Sequence, residues 1–351
     1  MNTLQGNIEA EALTGDHELL TPNGWIPISK VNKNTTIAQY NDEDGSIEFV
    51  KPIKVSHHHQ ESTYLFESKQ GHIRQAVSPN HRMFLKRRCY RPGAEYKSEV
   101  VLASELPQSK LNGFTRFINA GNKRGGYKTE LTPQERILIA IFANGNFNKT
   151  LNRNGELVCS GKKTGHVSAY FTLSKEHRIS RLLYLCREAG WNIVENMPLK
   201  RHGNIHERRK FRVNVPVDYF DIDKKLSNIS SLDTVSAEWC KEFIEEISLW
   251  SHNDNDNHIV WGSVREDEAK FVQAVSALAG HRTHWRKESE GRKENFSDYF
   301  RVRINRDKNY SGGQYVKRID NGPAEVYCVQ TPSTFLLTRN QGSVTVTGNC
   351  V

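Results

Sequence analysis

Strand-like sequence occupies both ends of this chain and encloses a helix-bearing middle that repeats its own plan. Near the N-terminus, TTIAQYN, GSIEFVKPIKV, TYLFES and HIRQAV are short runs rich in β-branched and aromatic residues. Pro22-Asn23-Gly24 is a strong tight-turn signal, and Asp44-Gly45 and Gln70-Gly71 are weaker ones. The same style returns in AEVYCVQ, STFLLT and SVTVTGN, with Asn340-Gln341-Gly342 as the last turn. Between these ends, TPQERILIAIFANG has helical spacing and starts on an N-cap plus proline at Thr132-Pro133. SAEWCKEFIEEISLW, KEHRISRLLYLCREAG and DEAKFVQAVSALAG are further amphipathic helices, the last two closed by glycine. They fall into two rounds, LIAIFANG with SRLLYLCREAG and FIEEISLW with KFVQAVSALAG. A repeat of that length decides architecture more than any single match. The expected fold is an all-β unit interrupted by a duplicated α/β module.

A length of 351 residues suits two domains, or one domain with a large insertion. Residues 105–320 hold 36 Lys and Arg against 27 Asp and Glu, and the rest of the chain holds 13 of each. The whole basic excess therefore falls in the middle, the footprint of a polyanion-binding module inside a neutral host; a solvated basic surface is the plainer reading. No stretch approaches the ~18 apolar residues of a membrane span, and MNTLQGNIEAE is no signal peptide. Cys89, Cys159, Cys186, Cys240, Cys328 and Cys350 form no CxxC pair, which argues against a disulfide scaffold or zinc ribbon. A soluble, cytoplasmic monomer is expected.

The first chemistry lies at the ends. Asn349 precedes Cys350 after a strand pattern; an Asn carboxamide can close on its own carbonyl and cut the following bond, and the Cys can supply a thiolate. Ser78-Pro79-Asn80-His81 follows the strand HIRQAV and sets a hydroxyl and an imidazole three residues apart. A turn there can aim both at one carbonyl, with Ser78 and backbone N–H groups stabilising charge and His81 moving protons. Alone, His81 is more readily a loop histidine capping a turn.

Together these pieces resemble an intein, a self-splicing element with the Hint (hedgehog/intein) fold. ALTGDHELLTPNGW at Ala12–Trp25 is similar to the first splicing block, GHIRQAVSPNHRMF at Gly71–Phe84 to the block with Thr-x-x-His, and EVYCVQTPSTFLLTRNQGSVTVTGNC at Glu325–Cys350 to the closing blocks. The resemblance implies a discontinuous Hint unit over 12–104 and 321–349, an insert over 105–320, and flanking stubs at 1–11 and 350–351. It implies site residues Ala12, Ser78, His81, Cys328, Thr347, Gly348, Asn349 and Cys350. In the ordinary route an N-to-S acyl shift at the first residue is followed by transfer to Cys350, cyclisation of Asn349 and an S-to-N shift. Each step is an intramolecular attack, for which effective molarities on the order of 10⁵ to 10⁸ M are attainable without any cofactor.

Three positions depart from the family pattern. Ala12 stands where Cys or Ser is usual, so no N-to-S shift is possible. Either Ala replaces Cys by design, or the chain belongs with inteins beginning in Ala, in which Cys350 attacks the Glu11–Ala12 bond directly. Gly348 and Thr334 stand where histidines are usual. Cys328 occupies a position held in some inteins by Asp or a working Cys; it tunes proton transfer, stores the acyl group, or is simply a buried strand cysteine.

Within the middle, Leu138–Phe147 and Phe243–Asn253 resemble the paired helices of LAGLIDADG homing endonucleases, which cut double-stranded DNA with Mg²⁺ held by an acid at each helix tip. Here the tips read Ala143-Asn144-Gly145 and Trp250-Ser251-His252, so Asn144 and Ser251 replace the acids. Glu246, Asp254 and Asp256 are nearby carboxylates that do not align with the tips. The expectation is retained fold and DNA affinity with little or no cleavage, Mg²⁺ entering only if the nuclease is active. Candidate DNA contacts are Lys123, Arg124, Lys162, Lys163, Arg208, Arg209, Lys210, Arg212, Arg286, Lys287, Arg301 and Arg303, the last two on one strand face. His57-His58-His59 invites a metal reading, but adjacent strand residues point to opposite faces and an exposed hairpin is the expectation. The competing functions are a site-specific DNA-binding or DNA-cleaving protein on a non-splicing β scaffold, and a hedgehog-type autoprocessing domain, against which the Asn349-Cys350 ending argues.

Overall fold

The computed structural model describes residues 11–109, 111–147, 149–151, 157–159, 165–196, 208–219, 230–255, 257–288 and 298–349. Two strands of 15 residues each, Lys54–Ser68 and Val316–Gln330, pair antiparallel along their whole length. With Leu13–Thr14 and Arg74–Val77 they close a small barrel. Leu13 pairs with both Tyr327 and Val77, so the chain just after Ala12 is wedged between strands remote in sequence. The closing hairpin, Phe335–Asn340 with Ser343–Gly348, turns at Gln341 and Gly342, both at positive φ. A Cβ on Gly342 would collide with the Trp285 carbonyl, so only glycine fits that turn. Leu13, Leu19, Ile28, Phe66, Val77, Met83, Phe117 and Val329 share the core of this unit.

The middle is a structural duplication. Helices α1 (Pro133–Asn144) and α3 (Ala237–Trp250) pack side by side, and α2 (Glu176–Ala189) and α4 (Glu266–Leu278) follow them in the two halves. Thr132 and Glu135 cap α1 reciprocally, with Pro133 in the first turn, as the sequence signals. In one half, the strands run Gly145–Phe147, His166–Leu173, Arg209–Pro216, Ile193–Asn196 across the sheet. In the other they run His252–Asn255, His258–Ser263, Tyr299–Asn305, Arg282–Glu288, the same order. The fold is therefore the expected all-β unit with an inserted α/β pseudo-twofold module.

The two parts are joined by more than linkers. Thr115–Ile118 and Tyr310–Gly312 pair with each other, and Thr115 and Arg116 pair with Arg87 and Lys86. Because strand pairing and not charge defines the unit, we propose that the insert begins near 119 and ends near 309, inside the 105 and 320 suggested by charge. His284 pairs with Ser343 and extends the β sheet into the insert. Arg339, fully buried, bonds to Glu18 at 2.6 Å and to Gln273 of α4 at 3.2 Å.

Candidate functional site

The strand entering at Leu13 brings Ala12 against the turn that follows Arg74–Val77. The Ala12 N–H donates to Ser78 Oγ at 2.9 Å, and the Ser78 N–H donates to the Ala12 carbonyl at 3.0 Å. Ser78 Oγ thus accepts from the nitrogen of the Glu11–Ala12 amide. The His81 N–H donates to the Ser78 carbonyl at 3.0 Å, a turn that holds the imidazole in place. His81 Nε2 lies 2.7 Å from Thr347 Oγ1 on the closing strand, while Nδ1 is buried without a hydrogen-bond partner among the described residues. Burial, with His17 and Arg82 nearby, pushes the His81 pKa down to about 3, so the ring is neutral at pH 7.

Two residues past Thr347, buried Asn349 is held at three points. Its N–H donates to the Thr334 carbonyl at 3.0 Å, its Nδ2 donates to Thr331 Oγ1 at 2.8 Å, and its carbonyl oxygen lies 3.4 Å from Arg82 Nη1. Thr334 serves here through its backbone, which takes positive φ, and not through a side chain in the usual histidine's place. A side chain at Gly348 would run into the Arg82 backbone, so no histidine fits there and the Arg82 guanidinium is the cation beside the Asn349 carbonyl. Arg82 and Thr331 were missed by sequence reading. Arg82 stands next to His81, but nothing in the sequence aims its side chain at residue 349.

Cys328 lies in Val316–Gln330, buried in a small cluster with Ala12 and Val326. It is disulfide-bonded, whereas Cys89, Cys186 and Cys240 are free. Cys350 lies outside the described residues.

At the helix tips of the insert, Asn144 Nδ2 donates to the Trp250 carbonyl at 2.8 Å. Arg178, from α2, donates to the carbonyls of Ser251 at 2.7 Å and Leu249 at 3.1 Å, and lies 3.5 Å from Asn144 Oδ1. The Ser251 hydroxyl donates back to the Ile247 carbonyl at 2.6 Å. A guanidinium thus occupies the ground between the tips where two carboxylates would hold Mg²⁺, and these residues do not fit the metal. Glu246, one turn above, cannot substitute, because Arg136 and Arg181 both pair with it in the interior. The side chains of Asp254 and Asp256 lie outside the described residues, and no cluster of metal-holding side chains occurs among those described.

The basic candidates separate. Lys123 is buried, its ammonium donating to the Arg124 carbonyl at 2.6 Å, and offers nothing to a phosphate. Arg209 is paired with Glu195, Arg286 and Arg301 with Glu288, Lys287 with Asp298, and Arg124 with Asp44. Lys210 and Arg212 share one face of their strand, Arg208 and Arg303 are exposed, and Lys162 and Lys163 lie outside the described residues. Arg303 and the cross-strand partners Arg286 and Arg301 make one sheet face basic, while buried His284 opposite Arg303 is held neutral by desolvation and the neighbouring cations. The histidine run is not a hairpin but the middle of Lys54–Ser68, where His59 Nδ1 meets Glu325 at 2.9 Å and His57 stacks on Tyr327. Among the described residues no helix is long and apolar enough to cross a membrane.

No protein-family model matches the chain. It is 24% identical to the ribonucleoside-diphosphate reductase subunit beta of Aquifex aeolicus, over 95% of this chain and 49% of that protein. It is 35% identical to the ATP-dependent Clp protease proteolytic subunit of Chlamydomonas moewusii, over 78% of this chain and 28% of that protein. The chain thus spans about half the length of the first relative and less than a third of the second. Among solved structures it is similar to the AceL NrdHF class 3 split intein, with a TM-score of 0.38 at 10% identity over 97% of this chain and 99% of that one. It is similar also to the homing endonuclease I-DmoI in complex with DNA and Mn, with a TM-score of 0.34 at 13% identity over 49% of this chain and 88% of that one.

Proposed function

We propose that this chain, an intein whose Hint fold carries a LAGLIDADG-type insert, cuts itself out of the polypeptide that flanks it and joins the flanks. The observation that carries the reading is the hydrogen-bonded path Ala12–Ser78–His81–Thr347, which ties the two junctions, at residues 12 and 349, into one buried site. The two sequence relatives add support. A reductase subunit and a protease subunit share no chemistry, so a segment common to both is an element apart from either named activity.

With Ala12 at the first position, the nucleophile must come from elsewhere. Cys328 packs against Ala12. Once reduced, its thiolate attacks the Glu11 carbonyl carbon, the bond to the Ala12 nitrogen breaks, and that amine leaves with a proton delivered through the Ser78–His81 pair. The thiolate of Cys350 then takes the acyl group and returns the Cys328 thiol. Asn349 Nδ2 attacks its own carbonyl, closing a succinimide and releasing the Cys350 amine, while Arg82 faces the oxygen that gains charge. An S-to-N shift at Cys350 completes the new peptide bond. Thr331 holds Asn349 Nδ2 and is a positioning residue. The insert binds double-stranded DNA through its basic strand face but does not cleave it, because Arg178 fills the place of the metal.

The test is mass spectrometry of the chain fused between two reporter proteins under reducing conditions. The expected products are ligated reporters and a free Ala12–Asn349 segment; Cys328→Ala should retain C-terminal cleavage and lose N-terminal cleavage. Intact precursor from the parent at all temperatures would refute splicing. Normal splicing by Cys328→Ala would move the first attack to Cys350.

A further inference from the structure

Between the β unit and the second half of the insert lies a cavity of about 320 Å³ that the splicing chemistry does not use. His72, Tyr96, Arg116 and Tyr310 line it from the β unit, and Arg282 and Lys308 from the insert. None of its described lining residues is Asp or Glu, and Arg116, Arg282 and Lys308 make no ion pair among the described residues. Three cations gathered in a cleft without a carboxylate repel one another; a bound anion removes that cost.

The geometry is fixed in advance. The Arg116 guanidinium carbon lies 3.4 Å from the centre of the Tyr96 ring and 3.7 Å from that of Tyr310, stacked between the two. With both faces covered, the N–H edges are what Arg116 has left to offer, and those edges suit phosphate oxygens. Arg282 opens the strand Arg282–Glu288, in which Arg282, His284 and Arg286 alternate onto one face beside Arg303 and Arg301 of the paired strand. The cavity is therefore the end of the basic row on the sheet of the insert. His72 stands edge-on to His284 at 4.5 Å, and burial together with Arg282 and Arg303 pushes its pKa down to about 4. The exposed ring of Tyr315, also at the rim, offers a surface on which a base can stack.

We infer that this cavity is an anion site that takes a phosphate group, carried either by a free nucleotide or by one nucleotide of a nucleic-acid strand. Arg116 supplies the bidentate contact and Arg282 and Lys308 add charge. The volume lies at the small end of ligand pockets and suits one nucleotide, not a longer segment. The site reaches beyond the basic strand face of the insert, because most of its lining residues belong to the β unit and only Arg282 and Lys308 come from the insert.

The experiment is calorimetric titration of the full chain with pyrophosphate, with a purine nucleoside triphosphate and with a random-sequence duplex, none of which depends on splicing. Arg116→Gln should weaken phosphate-ligand binding at least ~10-fold and lower the salt slope by about one unit for each phosphate that is no longer neutralised. Lys308→Gln, at an exposed position, should weaken it several-fold and keeps the test valid if Arg116→Gln misfolds. Weakening confined to the duplex assigns the phosphate to a nucleic-acid backbone, and weakening shared with the nucleotide assigns the site to a free ligand. The His72 NMR resonance should titrate at higher pH when pyrophosphate is bound. Unchanged affinity for all three ligands in both variants, or no measurable binding by the parent, overturns the inference.

Discussion

Replacing Arg82 by Met should slow cleavage at the C-terminal junction and leave the N-terminal junction nearly untouched. The Arg82 Nη1 to Asn349 oxygen distance of 3.4 Å is long for a ground-state hydrogen bond, but the oxygen gains negative charge as the carbonyl carbon becomes tetrahedral. Two full charges at that distance attract by about 5 kcal/mol at an effective dielectric of ~20. Only part of a charge develops and the guanidinium is half-buried, so about 2 to 3 kcal/mol is the working figure, ~30- to 150-fold in rate. The assay is release of a C-terminal reporter, followed by mass spectrometry, with N-terminal cleavage read from the same samples. Arg82→Lys should recover part of the rate, since a cation remains but its fork is gone. Parental C-terminal cleavage in Arg82→Met, or equal slowing at both junctions, would refute the reasoning, the second outcome pointing to a structural role.

Because Cys328 is disulfide-bonded, oxidised precursor should accumulate and splice only after a thiol reductant is added, and equal rates with and without reductant would sink that prediction. Restoring acids at the tips, Asn144→Asp with Ser251→Asp, should not yield Mg²⁺ binding while Arg178 remains, since its guanidinium will pair with them; adding Arg178→Ala should create it. Calorimetry decides, and equal Mg²⁺ binding by the double and triple variants would count against the displaced-metal account. Stability should fall as pH drops below about 6.5: the unfolded chain takes a proton on His81 there, the folded chain only near pH 3, so the folded state loses roughly 2 kcal/mol by pH 5. His81→Gln should flatten that part of the stability–pH curve, and an unchanged curve would disprove it.

The sequence by itself determined what local chemistry can determine. Residue type and period marked the strand-rich ends, the four helices of the middle, the Thr132–Glu135 cap and the turn at Gly342, because each depends on neighbours a few residues away. The ordered blocks around Ala12, Ser78, His81 and Asn349 likewise singled out the candidate junction residues. What approaches what was decided only in three dimensions. Ser78 grips the amide nitrogen of Ala12, Arg82 shuts side chains out at Gly348 and faces Asn349, and Arg178 fills the gap between the tips. Lys123 turned inward for the same reason, and strands at 115–118 and 310–312 joined the β unit against the charge boundary. Pairing across hundreds of residues and the exclusion of a second atom from occupied space are properties of the packed chain, and no local pattern encodes them.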